Sequence, residues 1–364
     1  MSKKMKVALG IIFLLIGIVF GLLFAYGFMQ RQEEPDVDVK IAFRDEVLSC
    51  AYKVYSNPAA SYWLARAFIK NCSECRLYNF HIRYRIKEFS DWSIAQKYEI
   101  IKPSQVLLDF YYPILPKRIT AEKTMQNANL QVEWAYYDRF ERKYTGNKNY
   151  TLKILGPNSL TWSSLPEGEI LSFQDRFNNY LLIGAFVTRT QNLVRKVASM
   201  ALKGLNTTTS DDDALEGFVR IFYALRQLGI GYVQEPMDAW SAHFTQNIQS
   251  PAECIENKSG TCIDLAILYA SMLESYGIRS VIILIPGHAM PGIVLSNGTY
   301  YPIESTFIDK QYTLRNFANA VSSQVTAQDC IRVAQQSVQQ NIQKGTIIFM
   351  YPRDAWKMGV VSLW

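Results

Sequence analysis

The strongest chemical signal in the sequence is a cysteine, a histidine and a glutamate that follow one another in the last third of the chain. Cys262 opens an apolar segment, His288 follows 26 positions later (288 − 262), and Glu304 follows another 16 positions on (304 − 288). A thiol attacks a carbonyl carbon when an imidazole accepts its proton, and a carboxylate orients that imidazole. The order therefore predicts acyl chemistry with Cys262 as nucleophile, His288 as base and Glu304 as the residue that orients the base.

A helix is predicted to carry the cysteine. Apolar residues recur on one helical face from Cys262 to Tyr276, and Gly277 is expected to end the helix. Cys262 would then lie in the first turn. There the free amide groups and the helix dipole favour the thiolate, which is the form that attacks carbonyls.

A hairpin is predicted to carry the other two residues. Ser280–Ile285 is rich in β-branched residues, as a strand is, and Asn297-Gly298 is a strong signal for a two-residue turn. A strict two-residue turn would set Glu304 across from Pro291, three residues away from His288. A bulge at Pro291-Gly292 or a wider loop would close that gap, and the residues leave both open.

At these positions the chain resembles the transglutaminase-like superfamily of thiol enzymes. The resemblance covers about 230–307 and implies an α+β fold with a papain-like core, in which a helix bearing the cysteine packs on an antiparallel sheet. It also implies acyl transfer or amide hydrolysis through a thioester, with no metal or other cofactor. The matching segments, in family order, are Gly260-Thr261-Cys262-Ile263-Asp264, His288-Ala289 and Glu304-Ser305-Thr306, and the upstream Gln249–Glu253 resembles prokaryotic members.

Two positions depart from the family pattern. Glu304 stands where the family usually has Asp, and Met290 replaces the Trp that often follows His-Ala. The donor that would stabilise an oxyanion is not fixed by the pattern, although the backbone amide of Cys262 is a natural candidate. The candidate side chains for this role are Gln249, Tyr232 and Trp240.

Other interpretations of Cys262 stay open. Buried cysteines are usually inert members of a core, and Cys262 could instead form a disulfide with Cys254 or Cys330. The fold could also serve a non-catalytic surface or binding protein. For the remaining cysteines we predict pairing of Cys50 with Cys72 or Cys75, and of Cys254 with Cys330.

The amino-terminal sequence predicts a membrane anchor. Val7–Met29 has no charged residue, and its 23 residues are long enough to span a hydrocarbon layer of ~30 Å. A cleavable signal peptide is the alternative, but its apolar region is usually shorter and ends at small residues. Lys3, Lys4 and Lys6 precede the run, so the positive-inside rule keeps the amino terminus in the cytoplasm and places the bulk of the protein outside.

The composition limits the partners. Of the net charge of +6, three charges come from the lysines before the apolar run, and there is no long basic block elsewhere. A nucleic-acid partner is therefore not expected, and a protein or peptide substrate is expected.

Outward placement makes five Asn-x-Ser/Thr tripeptides candidates for glycosylation. Their asparagines are Asn71, Asn149, Asn206, Asn257 and Asn297.

The chain is expected to divide into a tail, an anchor, a linker and two folded regions. These are a cytoplasmic tail (1–6), a transmembrane signal anchor (7–29), a linker (30–40), a strand-rich, β-sandwich-like accessory domain (41–165) and a transglutaminase-like domain (166–364) with its core at 230–307. In the accessory domain, alternating residues from Leu77 onward predict a strand, and helical character is predicted around Ala60–Arg66. Further strands are predicted at Tyr98–Ile101, Gln105–Tyr112, Leu130–Tyr137 and Tyr150–Leu155, and helices at Leu181–Leu205 and from Asp211 to Gly229.

Overall fold

The computed structural model describes residues 14–22, 34–121, 123–208, 210–235, 240–309 and 325–364. Of the apolar run Val7–Met29, only 14–22 lie in this part of the chain. They form a helix whose apolar side chains are exposed. Within the described ranges, no helix combines the length and the apolar character needed to cross a bilayer. The rest of the predicted anchor lies outside the described residues.

The amino-terminal region consists of two sheets that share a core. One sheet has the strand order β1-β3-β6 and the other has the order β2-β8-β7-β4-β5. Neighbouring strands are antiparallel except β2 and β8, which are parallel. Alternate side chains point into the core because successive residues of a strand face opposite sides. The strands are β1 Val37–Phe43, β2 Glu46–Leu48, β3 Ala65–Asn71, β4 Leu77–Ile86, β5 Gln96–Ile101, β6 Val106–Tyr111, β7 Gln126–Tyr137 and β8 Lys143–Leu155.

Two predictions of helices from the sequence are wrong. The chain around Ala60–Arg66 forms only a short 3-10 turn at Pro58–Ala60 before β3 begins at Ala65, because β3 is completed by pairing with strands on both sides. Leu181–Leu205 is split into a 3-10 helix, Tyr180–Ala185, and a separate α-helix, Asn192–Ala201. The break lies at Thr188, whose backbone N–H donates to Ser271 and whose hydroxyl donates to the backbone oxygen of Trp364.

The carboxyl-terminal region combines helices with an antiparallel sheet of order β15-β14-β13-β16. One helix, α5, packs directly on β13 and β14 and has other helices on its opposite side. The sheet strands are β13 Ser280–Ile285, β14 His288–Val294, β15 Tyr300–Pro302 and β16 Ile348–Met350. The helices are α1 Phe173–Arg176, α2 Asn192–Ala201, α3 Asp211–Gln227, α4 Pro251–Asn257, α5 Cys262–Ser275, α6 Ala327–Lys344 and α7 Pro352–Lys357.

Helix α5 is the central element of this region. Every residue from Cys262 to Glu274 is buried. A helix that is apolar on all sides is one enclosed by other elements. It contributes Ile263 and Ile267 to a core cluster that also contains Ile82 and Leu130 of the strand-rich region. The core therefore continues across residue 165, where the sequence predicts a change of domain.

Two short ribbons complete the fold, and the first of them connects the two regions. Strands β9 (Ser159–Thr161) and β11 (Thr245–Asn247) are antiparallel, and β10 (Gly231–Tyr232) runs parallel to β12 (Ser259–Gly260). Because β12 directly precedes α5, the second ribbon brings residues near 232 to the start of that helix.

The six cysteines, all of which lie in the described ranges, are free thiols. The predicted pairings of Cys50 with Cys72 or Cys75, and of Cys254 with Cys330, are therefore wrong, as is a disulfide at Cys262. Burial in the core raises the pKa of Cys50 and of Cys330 to about 12. Thiols of this kind are members of the packed interior and are mostly protonated at neutral pH.

Candidate active site

The start of helix α5 is determined by the residues on either side of Cys262. Thr261 is the N-cap, and its hydroxyl oxygen accepts the backbone N–H of Asp264. Asp264 in turn accepts the backbone N–H of Thr261 at 3.1 Å and its hydroxyl at 2.9 Å. This reciprocal capping box satisfies donors that a helix amino end leaves open. Cys262 is thereby held as the first residue of the helix, as the sequence predicts.

Asp264 also ties the preceding segment to this helix. Its Oδ1 accepts the backbone N–H of Gln249 at 2.9 Å. Gln249 directly precedes α4, which has its own capping box between Ser250 and Glu253. Burial raises the pKa of Asp264, and the hydrogen bonds from Thr261 and Gln249 oppose that rise. The acidic residue of the Gly-x-Cys-x-Asp pattern thus acts here as an anchor for two segments.

His288 is the first residue of β14. The turn that joins β13 to β14 consists of Pro286 and Gly287, since Ile285 pairs with His288. Gly287 has a φ of +72°, a backbone angle that residues with a side chain rarely adopt and that glycine adopts without steric cost. The ring of His288 therefore emerges directly from a tight turn beside the sheet.

Glu304 follows β15 and reaches His288 because the hairpin loop is wider than the Asn-Gly pair predicts. Gly292 pairs with Pro302 and Val294 with Tyr300, so the partners are shifted by one residue from a strict two-residue turn. A shift of one residue exchanges the two faces of a strand. It therefore moves Glu304 to the face that carries His288. The wider loop, one of the two possibilities left open by the sequence, is the one observed.

The three residues form a connected arrangement. His288 Nε2 and Glu304 Oε2 are 2.7 Å apart, and His288 also has a hydrogen-bonding interaction with the Cys262 side chain. The second carboxylate oxygen of Glu304 accepts the hydroxyl of Thr306 at 2.7 Å and its backbone N–H at 3.1 Å. Glu304 is thus oriented by Thr306 on one side and itself orients the imidazole on the other.

The charges of the pair support each other. Burial alone lowers the pKa of His288. The Glu304 carboxylate and the contact with Cys262 outweigh burial and hold this pKa well above its ordinary value. Burial alone raises the pKa of Glu304, but His288 and the donors of Thr306 outweigh it and lower this pKa. Both shifts favour an imidazolium ring beside a carboxylate.

Comparison with known families identifies the superfamily of this chain. A family described as a transglutaminase-like domain matches residues 85–333, about two thirds of the chain, and the match includes Cys262, His288 and Glu304. The chain belongs to the transglutaminase-like superfamily. No curated protein matches it. Membership in this superfamily indicates a cysteine-type enzyme family, and the mixed helix-and-sheet fold is the one that the resemblance implies.

The matched region begins within β4 and ends within α6. The transglutaminase-like match therefore includes part of the strand-rich region, in keeping with the core that continues across residue 165.

The three side chains predicted as oxyanion donors have other contacts. The side-chain oxygen of Gln249 accepts from Asn257 at 3.2 Å. Trp240 stacks on Trp162 with ring centroids 5.0 Å apart, and Tyr232 packs against the core with its backbone N–H bonded to Asp309. In a helix, first-turn amides point along the axis without partners. The capping box does not use the backbone N–H groups of Cys262 and Ile263. These two groups can therefore donate hydrogen bonds to a developing oxyanion.

Two residues near this transglutaminase-like site were missed by sequence reasoning. Gln246 of β11 is 3% exposed, and its Nε2 donates to Glu235 Oε1. The pKa of Glu235 is raised to about 7, mainly by burial and further by the charge of Asp264, whereas the charge of His288 lowers it. Neither residue lies in a recognisable motif, so only the fold reveals the pair.

The other histidines lie apart from the site. His81 lies on β4, with Nδ1 3.2 Å from the backbone oxygen of Asn79, and His243 is exposed before β11. No hydrogen bond joins either ring to Cys262 or Glu304 in the described part of the chain.

One candidate for glycosylation is corrected by the structure. Asn71 is fully buried, and its Nδ2 donates to the backbone oxygens of Cys75 and Ile101. A glycan on that nitrogen would break both bonds and would have no room. The other four asparagines, Asn149, Asn206, Asn257 and Asn297, are exposed.

Proposed function

We propose that the protein is a membrane-anchored thiol enzyme whose folded part lies outside the cytoplasm and attacks a peptide or amide carbonyl. The observation that carries this proposal is the 2.7 Å contact between His288 and Glu304, on a ring that also interacts with Cys262. When a carboxylate binds one nitrogen of an imidazole ring, the other nitrogen can accept the proton of a thiol. Cys262, His288 and Glu304 are the catalytic residues of this proposal.

In the first half of the reaction, His288 holds the proton of the Cys262 thiol. The thiolate forms a bond to the carbonyl carbon, and the carbonyl oxygen becomes an oxyanion near the first-turn amides of α5. When the C–N bond breaks, the leaving amine takes the proton from His288. The acyl group then remains on Cys262 as a thioester.

In the second half, His288 accepts a proton from the incoming nucleophile. That nucleophile is water in a peptidase or amidase and a primary amine in a crosslinking enzyme. It forms a bond to the acyl carbon, the C–S bond breaks, and Cys262 regains its thiolate beside the protonated ring. Glu304 stays ionised throughout and stabilises the imidazolium form.

The location belongs to the same proposal. The uncharged run Val7–Met29 is preceded by lysines, and its described part, 14–22, is helical with exposed apolar side chains. Exposed apolar helices are stabilised by lipid. Protease digestion of intact cells tests this location. Digestion of the folded part without lysis is expected, and protection until lysis would contradict it.

The reaction is tested by alkylating the purified protein with iodoacetamide at pH 7 and mapping the modified cysteines. We expect rapid modification of Cys262. Cys330 provides the matched control, because it is also buried and its pKa is raised to about 12. A Cys330→Ser variant should keep the fast phase and a Cys262→Ser variant should lose it. Alkylation of Cys262 only after denaturation would contradict the proposal.

The acceptor is tested on the thioester. Incubation with a glutamine- and asparagine-containing peptide library, with and without a biotinylated primary amine, should trap an acyl group on Cys262 by mass spectrometry. Incorporation of the amine indicates transfer, and release of the free acid indicates hydrolysis. No adduct and no product with the wild-type protein would contradict an enzyme.

One observation favours a second candidate, a transglutaminase-like surface protein that binds without catalysis. Cys262 is only 1% exposed, whereas a nucleophile must meet its substrate. This candidate predicts a slow alkylation of Cys262, equal to that of Cys330. The same experiment therefore separates the two functions.

A further inference from the structure

Glu235 lies beside the amino end of the helix that carries Cys262. Strand β10 runs parallel to β12, and the backbone N–H of Val233 donates to Gly260 at 2.9 Å. These bonds hold the chain before Glu235 alongside the two residues that precede Thr261. Glu235 therefore reaches the same end of α5 as the catalytic thiol.

Gln246 holds the carboxyl group of Glu235 in place. It pairs with Leu160 across the β9–β11 ribbon, so its backbone position is set by a strand. Its side chain is 3% exposed and donates from Nε2 to Glu235 Oε1. The second oxygen, Oε2, is buried and has no hydrogen-bond partner within the described ranges. The charge of a carboxylate with a buried oxygen acts strongly on its neighbours because little water screens it.

The groups that face Glu235 come from three elements. Asp264 faces it from α5, His288 from β14 and Gln246 from β11. Asp264 disfavours a second negative charge, while His288 favours it. With burial the largest influence, the pKa of Glu235 is raised to about 7. Its charge therefore changes in the pH range in which the enzyme would work.

We propose that Glu235 is a positioning residue of the active site, whose carboxylate stabilises the protonated ring of His288 together with Glu304. The proposal rests on the function proposed above. When Glu235 is ionised, His288 keeps its proton to higher pH, and the thiolate of Cys262 keeps its cationic partner. When Glu235 is protonated, only Glu304 supplies this support. Glu235 thus tunes the pH range of the ion pair without touching the substrate.

The test is a titration of the histidine rings by NMR in the full-length protein labelled with ¹³C-histidine. Only three histidines exist, so His288 can be assigned with a His288→Gln variant. In a Glu235→Gln variant, we expect the midpoint of His288 to move to lower pH by about 1 unit, because loss of a partly buried opposite charge disfavours the protonated ring. Glu235→Asp, which retains the charge, should restore part of the shift.

Glu256→Gln is the matched control. It makes the same change of charge at an exposed position of α4, where solvent and salt screen it, so the His288 midpoint should move by less than about 0.3 unit. Gln246→Leu provides a second variant that leaves Glu235 in the chain. Without its donor the carboxylate is less stable, and the midpoint should again move to lower pH.

The outcomes separate this inference from the proposed function. A wild-type protein whose Cys262 resists alkylation at pH 7 overturns the function. A wild-type protein that is alkylated rapidly, but whose His288 titration is the same in Glu235→Gln as in Glu256→Gln, overturns only the role of Glu235. A shift in Glu235→Gln and Gln246→Leu, with none in the control, supports it.

Discussion

The two regions of the protein each bury a carboxylic acid, and the two acids have different partners. In the strand-rich region, Asp109 accepts hydrogen bonds from the hydroxyls of Tyr84 at 2.7 Å and Tyr98 at 3.0 Å. In the transglutaminase-like region, Oε2 of Glu304 forms a hydrogen bond with Nε2 of His288 at 2.7 Å. Burial raises the pKa of Asp109 more than the two hydroxyls lower it. For Glu304 the histidine reverses the balance, and the pKa is lowered.

The difference teaches what a buried acid needs in order to serve in proton transfer. Neutral donors satisfy the oxygens of Asp109 and fix its orientation, yet they leave its charged form disfavoured. A titratable partner does more, because the charge of Glu304 and the charge of His288 stabilise each other. Only this second arrangement holds a proton at a defined nitrogen next to a thiol.

The largest effect is expected from replacing Glu304 with Gln. The variant keeps the shape but removes the charge that raises the pKa of His288, so turnover of an amide substrate should fall by about 10³-fold. The matching change, Asp109→Asn, should leave turnover unchanged. Steady-state kinetics and circular dichroism on both variants make the comparison. Unchanged turnover in Glu304→Gln would remove Glu304 from the catalytic residues.

The pH dependence of stability should differ in sign between the two acids. The raised pKa of His288 gives stability that is present at low pH and is lost as pH rises through that pKa. The lowered pKa of Glu304 gives stability that is lost as pH falls through it. The advantage of wild type over Glu304→Gln in urea unfolding should therefore be greatest between these two pKa values. A constant difference from pH 4 to pH 10 would contradict the ion pair.

For Asp109 the raised pKa has the opposite consequence. Its ionised form is disfavoured in the folded protein, so wild type should lose stability relative to Asp109→Asn as pH rises above the ordinary carboxyl range. Urea unfolding at pH 4 and at pH 8 measures this difference. If the stability of wild type relative to Asp109→Asn were instead higher at pH 8 than at pH 4, the two tyrosines would stabilise the charged form of Asp109. Asp109 and Glu304 would then not differ in the way described here.

A smaller effect is expected from removing one neutral donor. Thr306→Val deletes the hydroxyl that bonds Glu304 at 2.7 Å, while the backbone N–H remains. The free energy of unfolding should fall by ~1.5–3 kcal/mol, as for a lost hydrogen bond to a charged group, and turnover should fall less than in Glu304→Gln. Thr306→Ser keeps the hydroxyl and serves as the control. A loss of turnover as large as in Glu304→Gln would show that orientation outweighs charge.

The smallest effect is expected at His243. Its ring is exposed and lies outside the site, so His243→Gln should change turnover and thiol alkylation by less than about twofold, as surface substitutions usually do. A large loss in this variant would mean that a second base takes part.

The sequence predicted the elements of the site better than their mutual positions. The helix that begins at Cys262 and the strand Ser280–Ile285 were predictable because capping residues and β-branched runs act locally. The register between β14 and β15 was not. Asn297-Gly298 favours a two-residue turn, but Asp211 of α3 accepts the backbone N–H and hydroxyl of Ser296 and helps to hold a wider loop.

Contacts distant in sequence also explain the other errors. The predicted helix Leu181–Leu205 is interrupted where Thr188 bonds to Ser271 and to Trp364. Glu235 and Gln246 had no pattern to mark them, since both lie in short segments whose pairing depends on the fold. Local signals therefore predicted Cys262, His288 and Glu304 as a group, and long-range pairing determined which other groups surround them.

The complete enclosure of helix α5 has a consequence for how the protein would lose activity. With no side of this helix in contact with water, its backbone amides can exchange with deuterium only when much of the surrounding core opens. Damage to the nucleophile's position and collapse of the whole structure should then coincide on heating. Deuterium exchange of these amides during a thermal ramp would therefore report on global unfolding.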